Sequence, residues 1–337
     1  MAETAQMFYG FYTTRPFWVG EALSLEEEGM CDELMERMAT SVLMHTNGDY
    51  VLRVCRDGMF VLVVESIEQR HQEADSDEAK YNELGKYINY INCILLLFES
   101  TLAELEHEGQ FFGQELTTKE IVRVELVDEG FRVVAVPSYS TAEAFADTRR
   151  LGLFPDTDRE HWLRDRSILK QEVFDVFFEY ADQVLGDYKS VLLMAQLMKS
   201  LSEYRIADKE TSLVLSWFII ETFLQKRWKQ WLDSRNQEFE DGSKRINSCR
   251  FSNLTEGRGY PISVVSNILE LSNVIPFRSY KDINRVRRIR NGIVHQDERR
   301  KCTYTDCRLA LRIATSFMSD EVGFSLNLSL AFPMYWW

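Results

Sequence analysis

Runs of β-branched and aromatic residues, separated by turn-forming residues, predict two antiparallel hairpins in the first half of the chain. The first covers residues 50–65, where two apolar runs flank the pair Asp57-Gly58, a strong signal for a tight turn. The second covers residues 122–136, where apolar and charged residues alternate before a turn at Gly130. Both patterns are typical of strands that bury one face.

A helical period separates the two hairpins. Between residues 81 and 106, beyond an acidic loop at residues 73–78, apolar side chains recur at spacings of three and four, which predicts one long helix. The predicted order is therefore β-β-α-β-β, an α+β domain built on antiparallel hairpins. Pro155 is followed by residues suited to helix N-caps, so we assign residues 1–155 to this domain.

The second domain, residues 156–337, is predicted to be all-α. Its clearest helix lies near residues 208–236, where Leu213 and Trp217 begin an apolar stripe at helical spacing. Residues 236–260 contain Gly, Ser and Arg and predict a loop beside a binding surface. The predicted helices are 158–184, 187–203, 208–236, 262–274, 279–297 and 304–318. The fold class is thus α+β, with an N-terminal α+β domain and a C-terminal helical bundle.

The charge distribution singles out one segment of the second domain. The chain has 39 Lys and Arg against 53 Asp and Glu, and its net charge of −14 by itself argues against a nucleic-acid partner. Between Asp241 and Arg312, however, 15 basic and 7 acidic residues give a local net charge of +8, so the remaining 265 residues have −22. A basic segment within an acidic protein indicates a localised anionic ligand, with a solvated charged helix face as the alternative.

Motifs of several common enzyme classes are absent. The sequence has no Walker-type phosphate loop, no GxGxxG after a strand, no GxSxG elbow and no HExxH, so ATPase, dehydrogenase, α/β-hydrolase and zinc-protease activities lose their usual support. Six scattered cysteines without a CxxC pair predict reduced thiols and neither metal nor cofactor. Since no apolar run is long enough to span a bilayer and no secretory signal is evident, we expect a cytoplasmic protein without a membrane partner.

The strongest chemical signal lies at the end of a predicted helix in the basic segment. Residues 285–295 contain four arginines together with isoleucines and valines that form an apolar face, so half of this helix is predicted to be core and half an anion-binding surface. The segment ends with Arg290-Asn291 and, five residues after the arginine, His295. Histidine is the side chain that exchanges protons near neutral pH, and the other histidines have no recognisable partner spacing.

This R-x4-H motif, with Asn291 directly after Arg290, resembles the signature of the HEPN superfamily, compact helical domains many of which are metal-independent ribonucleases. The resemblance covers roughly residues 185–320. The apolar segment that ends at Glu221 looks like the family's second core helix, and Arg290 is the expected partner of this acid among apolar residues. The resemblance implies that Arg290, Asn291 and His295 are catalytic and that Glu221 supports them.

Metal-independent RNA cleavage needs a base for the 2′-OH, an acid for the leaving 5′-oxygen and a cation at the phosphorane. Histidine fills the first two roles and arginine suits the third, giving 2′,3′-cyclic phosphate ends. Because the basic region has one histidine, the second must come from another chain, and the resemblance implies the same arrangement, a homodimer with facing motifs. Asn291 would orient His295 or a phosphate oxygen. The residues expected to hold the RNA backbone are Arg287, Arg288, Arg299, Arg300 and Lys301.

We therefore expect a metal-independent endoribonuclease that acts on RNA, similar to HEPN toxins and anti-phage defence effectors. The alternative is a non-catalytic dimerisation module that binds RNA or a protein, in which Arg290 only forms a structural ion pair and His295 only favours the helix C-terminus. The N-terminal domain is predicted to be a sensor of a trigger ligand or partner protein, and its acidic charge favours electrostatic masking of the basic site.

Overall fold

The computed structural model divides the chain into two compact units. Unit 1 comprises Met1–Met198 and Leu326–Trp337, and unit 2 comprises Lys199–Ser325. The structure describes residues 7–15, 17–23, 36–107, 113–127, 130–135, 166–256, 259–295 and 301–331. The domain boundary predicted near residue 155 lies outside these described residues and stays a prediction.

Unit 1 is built on an antiparallel six-stranded sheet. Among the described residues, two further strands lie outside this sheet. The eight described strands are β1 (Met7–Phe11), β2 (Trp18–Val19), β3 (Ser41–Asn47), β4 (Tyr50–Cys55), β5 (Phe60–Val64), β6 (Val122–Val127), β7 (Gly130–Ala135) and β8 (Ile168–Leu169). The sheet has the order β3-β4-β5-β1-β6-β7, and β2 pairs with β8 in parallel outside it. The sheet is curled, because Thr40, just before β3, forms an antiparallel bridge with Gly130 at the opposite end of the strand order.

Both predicted hairpins are present. In the first, Val54 lies opposite Phe60, and the turn is closed by a hydrogen bond from the Cys55 N–H to the Met59 carbonyl. Gly58 has a φ of +84°, a conformation that an L-residue adopts only at a cost, which explains the glycine in this turn. In the second hairpin, β6 pairs with β7 in antiparallel fashion, as the alternation predicts.

The sheet contains two strands that the sequence patterns did not reveal. These two strands are β1, which lies between β5 and β6, and β3, which lies at one end of the sheet. Helix α1 (Glu65–Glu73) was also missed, since its only buried residue is Ile67. The long helix α2 (Asp77–Glu104) begins four residues earlier than predicted, where the Ser76 side chain accepts a hydrogen bond from the Ala79 N–H.

Each face of the sheet has its own core. One face packs valines and aromatic rings inside the curl, among them Phe8, Val61 and Val124. The other face packs against α2 and against α3 (Gln171–Val184) through phenylalanine rings, and the Phe60 and Phe98 centroids are 5.1 Å apart.

The remaining helices confirm most of the predicted helical pattern. They are α4 (Tyr188–Arg205), α5 (Lys209–Ser234), α6 (Ser248–Thr255), α7 (Ile262–Leu271), α8 (Phe277–Val294) and α9 (Tyr304–Val322). The helix predicted from residue 158 begins later, because β8 ends at Leu169 and α3 begins at Gln171; residues 158–165 lie outside the described residues. The loop predicted at 236–260 contains α6, whose N-cap Asn247 accepts a hydrogen bond from the Arg250 N–H.

Helix α5 is at the centre of unit 2. Its apolar stripe is buried from Leu213 to Trp228 and half-buried at Trp231, and the helix packs against α6, α7, α8 and α9. Small residues let α4 approach the start of α5 closely. There the Ser200 hydroxyl lies 2.7 Å from the Ser216 hydroxyl and also donates to the Ser212 carbonyl. The chain as a whole is α+β. Among the described residues, no helix is long and apolar enough to cross a membrane.

Candidate functional site

Helix α8 has the division into core and surface that its sequence predicts. Ile283 and Val286 are buried, Ile289 and Ile293 are half-buried, and the helix packs against α5, α7 and α9. These four residues recur at spacings of three and four and therefore lie along one side of the helix. Because this side of α8 packs against neighbouring helices, the residues on its opposite side face away from the core.

The opposite side of α8 presents a row that contains no carboxylate. Because positions three and four apart are neighbours on a helix, these residues form one continuous strip, which we call the α8 stripe. It consists of Tyr280, Asn284, Arg287, Arg288, Asn291 and His295. Sequence reasoning missed Tyr280 and Asn284, although their spacing from the arginines is the signal that reveals them.

One arginine of α8 lies outside the stripe and is neutralised. The Arg285 guanidinium forms two contacts with Asp306 of α9, from Nε at 2.8 Å and from Nη2 at 2.6 Å. Burial raises the pKa of Asp306, but hydrogen bonds from Thr303 and Arg285 outweigh it, so the net pKa is below the ordinary aspartate value. Thr303 and Asp306 also form the capping box that begins α9. The ion pair between Arg285 and Asp306 therefore anchors α8 to the start of α9.

Arg290 lies between the stripe and the core. It follows Val286 by four residues and Ile283 by seven, which places its backbone position on the buried side of α8. Its Nη1 donates to the Asn291 Oδ1 at 3.3 Å, whereas its Nε is buried and, within the described part of the chain, has no hydrogen-bond partner. Burying a polar N–H without a partner is unfavourable, so Arg290 is held at a cost to stability.

The expected pairing of Arg290 with Glu221 is not formed. Glu221 is half-buried on α5 and accepts a hydrogen bond from the Nε1 of Trp217, one turn earlier on the same helix, at 2.9 Å. In the ranges that the structure describes, no ion pair joins Glu221 to Arg290. Sequence patterns identified an acid among apolar residues but not the indole that satisfies it.

His295 ends α8 and is exposed. Its backbone N–H donates to the Asn291 carbonyl at 3.0 Å, so the two residues are one helical turn apart and lie on the same side. The structure therefore places Asn291 beside both Arg290 and His295. An exposed imidazole at a helix end is accessible to a ligand or to a second chain.

The expected RNA-backbone residues are placed differently from one another. The Arg287 Nε donates to the Asn284 Oδ1 at 3.1 Å, and burial together with neighbouring Arg288 lowers the pKa of Arg287. Arg288 and Lys301 are exposed. Arg299 and Arg300 lie outside the described residues, so their role stays a prediction.

Comparisons of this chain with protein-family models, with curated proteins and with solved structures found no match. In the described ranges, no group of three or more His, Cys, Asp and Glu side chains has the arrangement of a metal site. Burial raises the pKa of Cys307 to about 11 and that of Cys302 to about 12, which keeps these two neighbouring thiols protonated at neutral pH.

Proposed function

We propose that this protein is a metal-independent endoribonuclease, that its helical half is a HEPN-like domain, and that it acts as a toxin or defence effector in the cytoplasm. The observation that supports the proposal is the end of α8. There His295 is exposed, Asn291 lies one turn before it, and Arg290 contacts Asn291. The α8 stripe joins this group to further arginines without an intervening carboxylate, as an interface for a polyanion requires.

The proposed reaction uses the 2′-hydroxyl of RNA as the nucleophile. His295 accepts the 2′-OH proton while the oxygen attacks the adjacent phosphorus, and a second histidine donates a proton to the departing 5′-oxygen. The Arg290 guanidinium stabilises the charge that develops on the phosphorane oxygens. The P–O5′ bond breaks, leaving a 2′,3′-cyclic phosphate and a 5′-hydroxyl.

The need for two proton-transfer groups leads to a dimer. Unit 2 contains one histidine in its sequence, His295. In a homodimer with facing α8 ends, each chain supplies one His295 and one Arg290, and the composite site has an acid and a base. The exposed position of His295 at a helix end is compatible with this arrangement.

Cleavage of total RNA in EDTA by the purified protein tests the proposal. His295→Ala should reduce cleavage by at least about 10²-fold, the usual loss when a general acid–base group is removed. His107→Ala is the matched control, because it removes a half-buried histidine of unit 1 and should leave cleavage unchanged. Sequencing of RNA ends should show cyclic phosphates. Equal cleavage by wild type and His295→Ala would refute the proposed function.

A second candidate function, a non-catalytic binding module, is favoured by the buried Nε of Arg290. A guanidinium that is partly enclosed by its own fold is more typical of a structural residue than of a fully accessible catalyst. In that case Arg290→Ala, which removes the aliphatic stem as well as the guanidinium, should lower the melting temperature, and His295→Ala should leave every interaction intact. Melting curves of both variants, measured beside the RNA assay, distinguish the two candidates.

A further inference from the structure

The first residue of α8 is an exposed aromatic side chain. Phe277 has 59% of its surface exposed and begins a helix rich in basic residues. It precedes His295 by 18 residues, which is five complete turns of an α-helix. The two residues therefore point from the same side of α8, about 27 Å apart along its axis.

Two of the described side chains lie beside the Phe277 ring. The Tyr280 ring is nearly parallel to it, with centroids 6.2 Å apart and planes at 23°, and the Tyr280 hydroxyl donates to the Asn267 Oδ1. The Lys281 Nζ lies 5.0 Å from the centroid of Phe277. Tyr280 is thus fixed by α7, whereas Lys281 is an exposed, flexible side chain that an arriving planar group can displace.

We propose that Phe277 is a base-stacking platform and that the ligand of α8 is single-stranded RNA, extended from Phe277 to His295 along the α8 stripe. This inference rests on the proposed function and specifies its substrate class. A base stacked on Phe277 would replace the Lys281 ammonium, which then becomes available to a phosphate. Arg287 and Arg288, between the two ends, would contact the backbone of the same strand.

Duplex RNA does not satisfy this arrangement. Its bases are stacked on one another inside the helix, whereas single strands offer splayed bases that proteins stack on aromatic side chains. An aromatic ring at one end of a basic helix face, with a candidate catalytic histidine at the other end, therefore favours a strand of several unpaired nucleotides.

The test measures binding of fluorescently labelled RNA to the full chain in a His295→Ala background, which prevents cleavage. Phe277→Ala should weaken binding of a single strand by about 5- to 150-fold, the range reported for stacking of one base on an aromatic side chain. Phe277→Trp should retain the wild-type affinity for the single strand. Leu271→Ala, which shortens a 79% exposed leucine at the end of α7, is the matched control and should have no effect.

A single abasic position moved along the RNA supplies a stricter criterion. One abasic position should weaken binding to the Phe277 protein as much as Phe277→Ala weakens binding of intact RNA, and it should cause no further loss in the Phe277→Ala protein. Additive losses at every position would overturn the platform. An equal loss of duplex binding in Phe277→Ala would also overturn it. So would a change of oligomeric state in Phe277→Ala without a change in its RNA affinity.

Failure of the platform and failure of the nuclease give different results. If the His295→Ala protein binds single-stranded RNA and Phe277→Ala changes nothing, the platform is wrong while the nuclease proposal stands. If the protein binds no RNA and wild type does not cleave it, both proposals are wrong.

Discussion

Replacing Asp306 by Asn tests whether the buried carboxylate holds α8 in place. Its side chain is 5% exposed and accepts hydrogen bonds from the Thr303 N–H at 3.1 Å and the Thr303 hydroxyl at 2.5 Å, as well as two from Arg285. Asn has the same shape but no charge, and its NH₂ group faces donors rather than acceptors. The substitution therefore weakens the capping box and the link between α8 and α9 without creating a cavity.

The magnitude follows from the degree of burial. A hydrogen bond to a charged group contributes about 1.5–3 kcal/mol, and solvent screens part of this contribution because 55% of the Arg285 side chain is exposed. We expect Asp306→Asn to lower the free energy of unfolding by about 2 kcal/mol. The control is Asp320→Asn: Asp320 also pairs with an arginine, but it is 61% exposed and should contribute less than about 1 kcal/mol.

Urea unfolding at several pH values provides the assay. Because the pKa of Asp306 in the folded protein is below the ordinary aspartate value, its contribution is complete above about pH 4 and is lost as the pH falls through the folded pKa. The difference between wild type and Asp306→Asn should thus be constant from pH 7 to pH 5 and narrow below about pH 4. Equal destabilisation by Asp306→Asn and Asp320→Asn, or a difference that grows in acid, would refute the reasoning.

Three further substitutions give distinct expectations. Arg290→Met removes a cation whose Nε is buried without a partner among the described residues, so melting should show unchanged or higher stability while RNA cleavage falls by about 10²-fold or more. Gly58→Ala should destabilise unit 1 by about 2 kcal/mol in urea, because φ is +84° and the new Cβ would lie 2.9 Å from the Phe17 carbonyl oxygen. Asp182→Asn weakens the bond that the Tyr50 hydroxyl donates at 2.6 Å; after solvent screening we expect a loss of about 1 kcal/mol that disappears in acid, since the pKa of Asp182 is lowered. Stability lost equally at pH 7 and pH 3 would contradict the last of these.

The sequence predicted those elements whose pattern is local. The first hairpin has its turn signal at Asp57-Gly58, and α5 has an uninterrupted apolar stripe, so each was identified from adjacent residues. Strand β1 pairs with β5 and β6, whose residues lie roughly 50 and 115 positions further along the chain, and no local pattern records such partners. Strand β3 lies at the end of the sheet, and a bulge at Ser41 and Leu43 interrupts its pairing.

The site was predictable as a segment but not as a set of contacts. Helical periodicity identified the polar side of α8 and placed His295 at its end, as the structure has it. The partner of Glu221 depended instead on a side-chain choice between Arg290 and the indole of Trp217. Such choices depend on how neighbouring helices pack, which periodicity along one helix does not specify.

The continuity of α8 restricts its length as well as its composition. Each residue of an α-helix adds about 100° of rotation, so inserting one residue between Arg288 and Arg290 would turn His295 away from Phe277 and Tyr280. Inserting a whole turn, three or four residues, would nearly restore the alignment but lengthen the span by about 5 Å. Insertions and deletions in this helix therefore preserve the stripe only in steps of whole turns, whereas many single substitutions on its outer side leave the alignment intact.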